Sequence, residues 1–124
     1  MSNLKKLVIV DDEYDIGLVV KDFFTDYGFL SWIAIDTTSG LALIEKEKPE
    51  IIFLDLIIPQ IGGIECLKQI RKVSPESYVI MMTGIQDQEI AKQALKEGAY
   101  DYVTKPFDLG YIKINFIDRI FPPD

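Results

Sequence analysis

The chain has 124 residues, with 13 Lys and Arg against 20 Asp and Glu, a net charge of −7, one Cys and no His. That length is one domain, able to bury roughly two-thirds of its unfolded surface without disulfides or a structural metal. The composition excludes His/Cys zinc sites and every His-dependent nucleophile or base, and the acid excess argues against a direct grip on nucleic acid or an anionic membrane, which needs a basic footprint.

The first apolar run, Leu7–Val10, is too short for a signal-peptide core and reads as a strand. After Asp11, Asp12 and Glu13, the residues Ile16, Val19, Val20, Phe23, Phe24 and Tyr27 form a helical stripe closed by Gly28. A second run, Leu30–Ile35, precedes a helix carrying Leu41, Leu43 and Ile44. The third run, Ile51–Leu54, continues as apolar residues to Ile58 but is broken by Asp55, far short of the ~20 residues of a membrane span. Ile64, Leu67, Ile70 and Val73 mark the next helix, Tyr78–Met82 the fourth run, and Ile90, Ala91, Ala94 and Leu95 a helix ended by Gly98. Tyr100–Val103 is the fifth run. The last helix carries two stripes: Leu109, Ile112, Phe116 and Ile120 are expected to face the sheet, while Tyr111, Ile114, Ile117 and Phe121 lie nearly opposite and are expected to meet another subunit, an output domain or a target. Pro122-Pro123 stops it.

Runs that are apolar at every position belong to strands buried on both faces, as in a parallel sheet covered by helices. The alternation therefore predicts a single (βα)5 domain over residues 1–124, a doubly wound α/β sandwich with the flavodoxin-like strand order 2-1-3-4-5, in a cytoplasmic setting. The chain either stands alone or is excised from a longer protein.

In such sheets ligands bind beyond the carboxyl ends of the strands. The residues there are Asp11-Asp12 after the first run, Asp55 at the end of the third, Thr83-Gly84 after the fourth and Thr104-Lys105-Pro106 after the fifth. Asp36 and Thr37 follow the second run, which is expected at an edge and is set aside. Taken alone, Asp11-Asp12 reads equally well as a helix cap with first-turn acids, Thr83 as a hydroxyl satisfying a strand end, and Lys105 as a solvated loop residue. Asp55 resists such a reading, because a charge inside an apolar run is costly without a purpose. Crowded carboxylates repel, and one Lys cannot neutralise three acids, whereas a hard divalent ion can. The set points to Asp55 as a carboxylate nucleophile for a phosphoryl group, with an ion on Asp11, Asp12 and Asp55, and with Lys105 and Thr83 holding phosphoryl oxygens.

Four segments in order carry a resemblance: Val10-Asp11-Asp12-Glu13; Asp55-Leu56-Ile57-Ile58-Pro59 with Gly62-Gly63; Thr83-Gly84; and Asp101-Tyr102-Val103-Thr104-Lys105-Pro106-Phe107. From Lys5 to about Ile120 the chain resembles the receiver domain of two-component response regulators, of the chemotaxis-regulator kind. The resemblance implies that Asp55 accepts a phosphoryl group from a partner phosphohistidine, on a sensor histidine kinase or a histidine phosphotransfer protein. It implies Mg²⁺, with Mn²⁺ as a substitute, on Asp12, Asp55 and the carbonyl of Ile57, with Asp11 acting mainly through water. Thr83 and Lys105 would contact the phosphoryl group, Lys105-Pro106 would be a cis peptide, and Thr83 with Tyr102 would form the switch. Where the family often has Met and Asp, this chain has Ile58 and Gly62, conservative departures. Ile57 and Ile85 flank the expected path of the hydrolytic water, and their apolar side chains predict a slowly hydrolysing acyl phosphate.

Such a protein is a switch whose only catalysis is its own phosphorylation and slow dephosphorylation, with partner binding or homodimerisation through the fourth and fifth helices as output. Two other readings share the residues. An aspartyl-nucleophile small-molecule phosphohydrolase would want a second acid where Ile57 stands, and an unphosphorylated interaction module would have lost a key position.

Overall fold

A computed structural model describes residues 4–123, apart from the side chain of Ile85. Strands β1 (Lys5–Val10), β2 (Phe29–Ala34), β3 (Ile51–Asp55), β4 (Tyr78–Thr83) and β5 (Asp101–Thr104) form one parallel sheet in the order β2-β1-β3-β4-β5. Helices α1 (Tyr14–Thr25), α2 (Thr37–Glu47), α3 (Gly63–Val73) and α4 (Gln88–Lys96) follow the first four strands, the last after a 3₁₀ turn at Ile85–Asp87. The closing helix, α5, spans residues 109–120. No helix among the described residues is long and apolar enough to cross a membrane.

The period of two along each strand divides the core. Leu7, Ile9, Ile51, Phe53, Ile80 and Met82 face Val20 and Phe24 of α1 and Ile112 and Phe116 of α5. Val8, Val10, Ile52, Leu54, Val79 and Met81 face Ile44 of α2, Cys66, Leu67 and Ile70 of α3 and Ala94 of α4. Each Val, Leu, Ile, Phe or Met side chain among them contributes roughly 1.5–3 kcal/mol of burial. The three central strands are therefore held from both sides, and they carry the site at their ends.

Strand boundaries depart from the sequence expectation at β1, which begins two residues earlier at Lys5, and at both edges of the sheet. β2 is an edge strand, so it runs one residue earlier than expected and leaves Leu30 and Ile35 exposed. β5, the other edge, begins at Asp101 rather than Tyr100. The stripe of α1 is narrower than predicted: Val20 and Phe24 are buried, Val19 is exposed, and Tyr27 lies beyond the helix end. Gly28 and Gly98 both adopt positive φ, +85° and +111°, the left-handed conformation expected of the residues that close these helices.

The largest correction falls on α5. After an α turn at Leu109–Ile112 the backbone becomes a π-helix at Lys113–Ile117, then returns to α at Asp118–Ile120. Residues five apart stack in a π turn, so Ile117 joins Ile112 in the core at 2% exposure, and it is not part of an outer stripe. Asn115 Nδ2 donates to the Tyr111 carbonyl at 3.0 Å within this turn. Phe121 also turns inward, against the rings of Phe29 and Tyr78. Of the expected second stripe only Tyr111 and Ile114 remain at the surface.

Candidate functional site

The acids arrive at one rim because parallel strands end together. As β1 ends, the Asp11 N–H donates to the Ala34 carbonyl of the neighbouring strand at 3.0 Å. Asp11 is fully buried, and its Oδ1 accepts from the Glu13 N–H at 2.8 Å, while Asp12 is exposed. Neither aspartate caps α1: the capping position is Glu13, which makes no side-chain cap bond. Asp55, the last residue of β3, is buried, and its Oδ1 accepts from the Ile57 N–H at 3.2 Å. Carboxylate oxygens of Asp11, Asp12 and Asp55 all lie within 4.8 Å of one another.

The fourth and fifth strands supply the rest. The Lys105 N–H donates to the Thr83 carbonyl at 2.7 Å, extending the β4–β5 pairing beyond the last strand residue, and Lys105-Pro106 is cis. Lys105 Nζ then reaches across the rim to Asp11 Oδ2 at 3.0 Å, Asp55 Oδ2 at 3.2 Å and Glu13 Oε1 at 3.3 Å. Thr83 is buried, and its hydroxyl donates to the adjacent Gly84 carbonyl at 3.2 Å. Tyr102, on β5, is half-buried against the α2–α4 side of the core. Ile57 is 60% exposed, so the position beside the acceptor is open to solvent on an apolar side chain. The side chain of Ile85 lies outside the described residues.

Electrostatics at the rim is unbalanced. Burial, then the negative charge of Asp11, push the Asp55 carboxyl up to about 6, against the lowering influence of Lys105 and the Ile57 N–H. Burial alone would lower Lys105, but the hydrogen bond to Asp11 and the charges of Asp55 and Asp11 outweigh it and raise it. A single ammonium is thus shared among carboxylates that still repel one another. The three aspartate oxygens form a hard, all-oxygen set, and their spacing suits an ion bound at roughly 2.0–2.6 Å from each. Asp11, Asp12 and Asp55 therefore fit a divalent cation.

Three further residues have individual roles that the sequence reading did not assign. Thr37, set aside as an edge residue, is fully buried: its hydroxyl donates to the Pro59 carbonyl at 3.2 Å and accepts from the Ile61 N–H at 2.9 Å. It pins the loop after Asp55 to the start of α2, and its place directly after Asp36, whose carboxylate caps α2 through the Ser39 N–H, was the available signal. Of the two loop glycines only Gly63 is obligatory, since a Cβ there would lie 2.5 Å from the Leu56 carbonyl oxygen, whereas Gly62 faces open space. Glu13 is the third, through its contact with Lys105.

Comparison with known proteins agrees with this geometry. A family model described as the response regulator receiver domain matches residues 7–115. The chain is 31% identical over 109 residues to sporulation initiation phosphotransferase F of Bacillus subtilis, covering 88% of each protein. Against two longer regulators it spans only 25% and 23% of their length. Among solved structures, a CheY-like receiver domain protein from Methanospirillum hungatei superposes with a TM-score of 0.88 at 30% identity, covering 95% of this chain and 94% of that one. A response regulator from Burkholderia pseudomallei, solved with a phosphorylated aspartic acid, a calcium ion and citrate, superposes with a TM-score of 0.81 at 25% identity, covering 87% and 64%.

Proposed function

The chain belongs to the response regulator receiver family, phosphoacceptor switches of two-component signalling that take phosphate from histidine kinases and bind Mg²⁺ at an acidic pocket, and from that premise we propose that Asp55 is its acceptor. The observation that carries the assignment is a buried carboxylate at the end of a central strand, facing two more carboxylates and one shared ammonium.

A carboxylate oxygen of Asp55 attacks phosphorus, the O–P bond forms, and the P–N bond to the donor imidazole breaks with its electron pair leaving on nitrogen. Asp11 and Asp12, with Asp55 and the Ile57 carbonyl, would hold Mg²⁺, or Mn²⁺ in its place, which when bound neutralises phosphoryl oxygens. Lys105 and the Thr83 hydroxyl donate to the remaining oxygens. Because Thr83 spends its hydroxyl only on the neighbouring Gly84 carbonyl, it is free to turn toward a new acceptor, and Tyr102 on the adjacent strand is the side chain that follows. Hydrolysis needs water in line with the acyl phosphate. The exposed apolar Ile57 offers that water no partner, which supports a long-lived phosphoryl group, and Ile57→Asn shortens its lifetime when decay is timed by intact mass.

The phosphodonor is a histidine kinase or a histidine phosphotransfer protein. Output passes through the α4–β5–α5 face, where Tyr111 and Ile114 stand exposed for a target, an output domain or a second copy. This reading places the switch in the cytoplasm, with no direct contact with nucleic acid or membrane, and treats residues 1–124 as one receiver domain. Incubation with phosphoramidate and Mg²⁺, followed by intact-mass measurement, tests it: wild type gains one phosphoryl group and Asp55→Asn gains none. A wild type that stays unmodified, or that turns the donor over steadily without retaining phosphate, refutes it.

A further inference from the structure

An ammonium has three N–H donors, and in this structure all three of Lys105 have an acceptor: Asp11, Asp55 and Glu13. If Lys105 is to hold a phosphoryl oxygen, as the proposed function requires, one acceptor has to leave. The three differ sharply in what departure costs. The Asp11 side chain is 0% exposed and is pinned by the Glu13 N–H on its Oδ1, so it has no solvent to turn into. Asp55 is the residue that receives the phosphoryl group and stays within reach. Glu13 is 64% exposed, and its carboxylate returns to water at almost no cost. The side chain has no competing duty: although Glu13 sits at the capping position of α1, it makes no cap bond, and its backbone alone serves the helix by accepting from the Ile16 N–H at 3.0 Å.

We infer that Glu13 is a resting-state placeholder that restrains phosphorylation: it occupies the third donor of Lys105 in the unphosphorylated protein and is displaced by the incoming phosphoryl oxygen. It competes for the ammonium that the phosphoryl oxygen needs, and it adds a negative charge beside the path of an anionic donor. Both effects set the direction of the test. A unit charge about 4 Å away in a solvated site changes a rate by a few-fold, and salt screens it.

The experiment measures phosphoryl uptake from phosphoramidate by intact mass, with Mg²⁺ saturating for each variant, at low and high ionic strength. Glu13→Gln is expected to react roughly three- to tenfold faster than wild type at low salt, with the advantage falling below about twofold at high salt, and with an unchanged thermal unfolding midpoint. Glu13→Asp, which keeps the charge but is one methylene too short to hold Lys105 in the same way, is expected to lie between the two. An equal or slower rate for Glu13→Gln, or a gain indifferent to salt, overturns the placeholder role while leaving Asp55 as the acceptor. Failure of wild type itself to take up phosphate overturns both.

Discussion

At the amino ends of the strands, the Ser74 and Ser77 hydroxyls bond each other at 2.6 Å, Ser77 donates on to the Pro49 carbonyl, and the Arg71 guanidinium is shared among the carbonyls of Ser74, Ser77 and Gly98. At the carboxyl ends, Lys105 stands against Asp11, Asp55 and Glu13, with Asp12 close by, and Asp55 is pushed up to about 6. Both rims gather buried polar groups, yet the first spends all of them but Arg71 Nε on one another and on backbone, tying the end of α3 to the start of β4 and to the loop before β5. The second leaves a surplus of negative charge that nothing among the described residues neutralises. A network closed on backbone carbonyls holds a fold together, and a surplus of buried charge is a place for a ligand of opposite sign.

Exchanging a single group at each rim breaks this contrast most sharply. Asp55→Asn abolishes phosphoryl uptake, a loss of at least roughly 100-fold, while making the metal-free protein more stable by relieving a buried repulsion. Ser77→Ala does the reverse: it costs about 1–3 kcal/mol in urea unfolding and leaves the uptake rate within about twofold. If Ser77→Ala impaired uptake as strongly as stability, the two rims would not be separate.

Next in size is the removal of the shared cation. Lys105→Met leaves Asp11 buried beside Asp55 with no counter-charge and is expected to destabilise the metal-free protein by about 2–4 kcal/mol. Excess Mg²⁺ should restore much of this, measured as a rise in the thermal midpoint larger than that of wild type.

The carboxyl-end rim also makes stability depend on pH. Asp55 is raised in the folded state, to about 6 from 3.8, so the native protein binds the extra proton between those values. Stability of the metal-free protein through this group is therefore full below about pH 4 and falls by on the order of 2 kcal/mol as pH rises to about 6. Urea titrations of wild type and Asp55→Asn from about pH 4.5 to about pH 7 should differ by this component and converge once Mg²⁺ is present.

Far from both rims, the smallest effect of all is expected at an exposed position of α5 and a large one at its buried neighbour. Ile114→Lys on the exposed side of α5 should change stability by less than about 0.5 kcal/mol, whereas Ile117→Lys, three residues on, should cost more than about 3 kcal/mol. Equal costs would mean that the π turn does not hold Ile117 in the core.

Much of the site was legible because its chemistry is conspicuous in a one-dimensional pattern. A charge such as Asp55 inside an apolar run stands out, and the rule that parallel strands deliver their ends to one rim then gathers Asp11, Asp12, Thr83 and Lys105 around it. Thr37 was missed because a threonine after an edge strand looks like any helix start; only the loop folding over it shows that both halves of its hydroxyl are used. Glu13 was named only as part of the first motif, because an acid at a helix start reads as dipole chemistry, and its contact with Lys105 shows only in the folded chain.

The sequence by itself determined the five-unit alternation, the two-sided burial of the central strands and the identity of the acids and the lysine, because these follow from hydrophobic period and from the energetic cost of placing charge in apolar runs. Tertiary structure alone decided which acceptors share Lys105, that Gly63 rather than Gly62 is indispensable, and that a π turn buries Ile117 while leaving Ile114 outside. Those outcomes depend on distances between elements remote in the chain and on a one-residue change of helical phase, neither of which a regular period can encode.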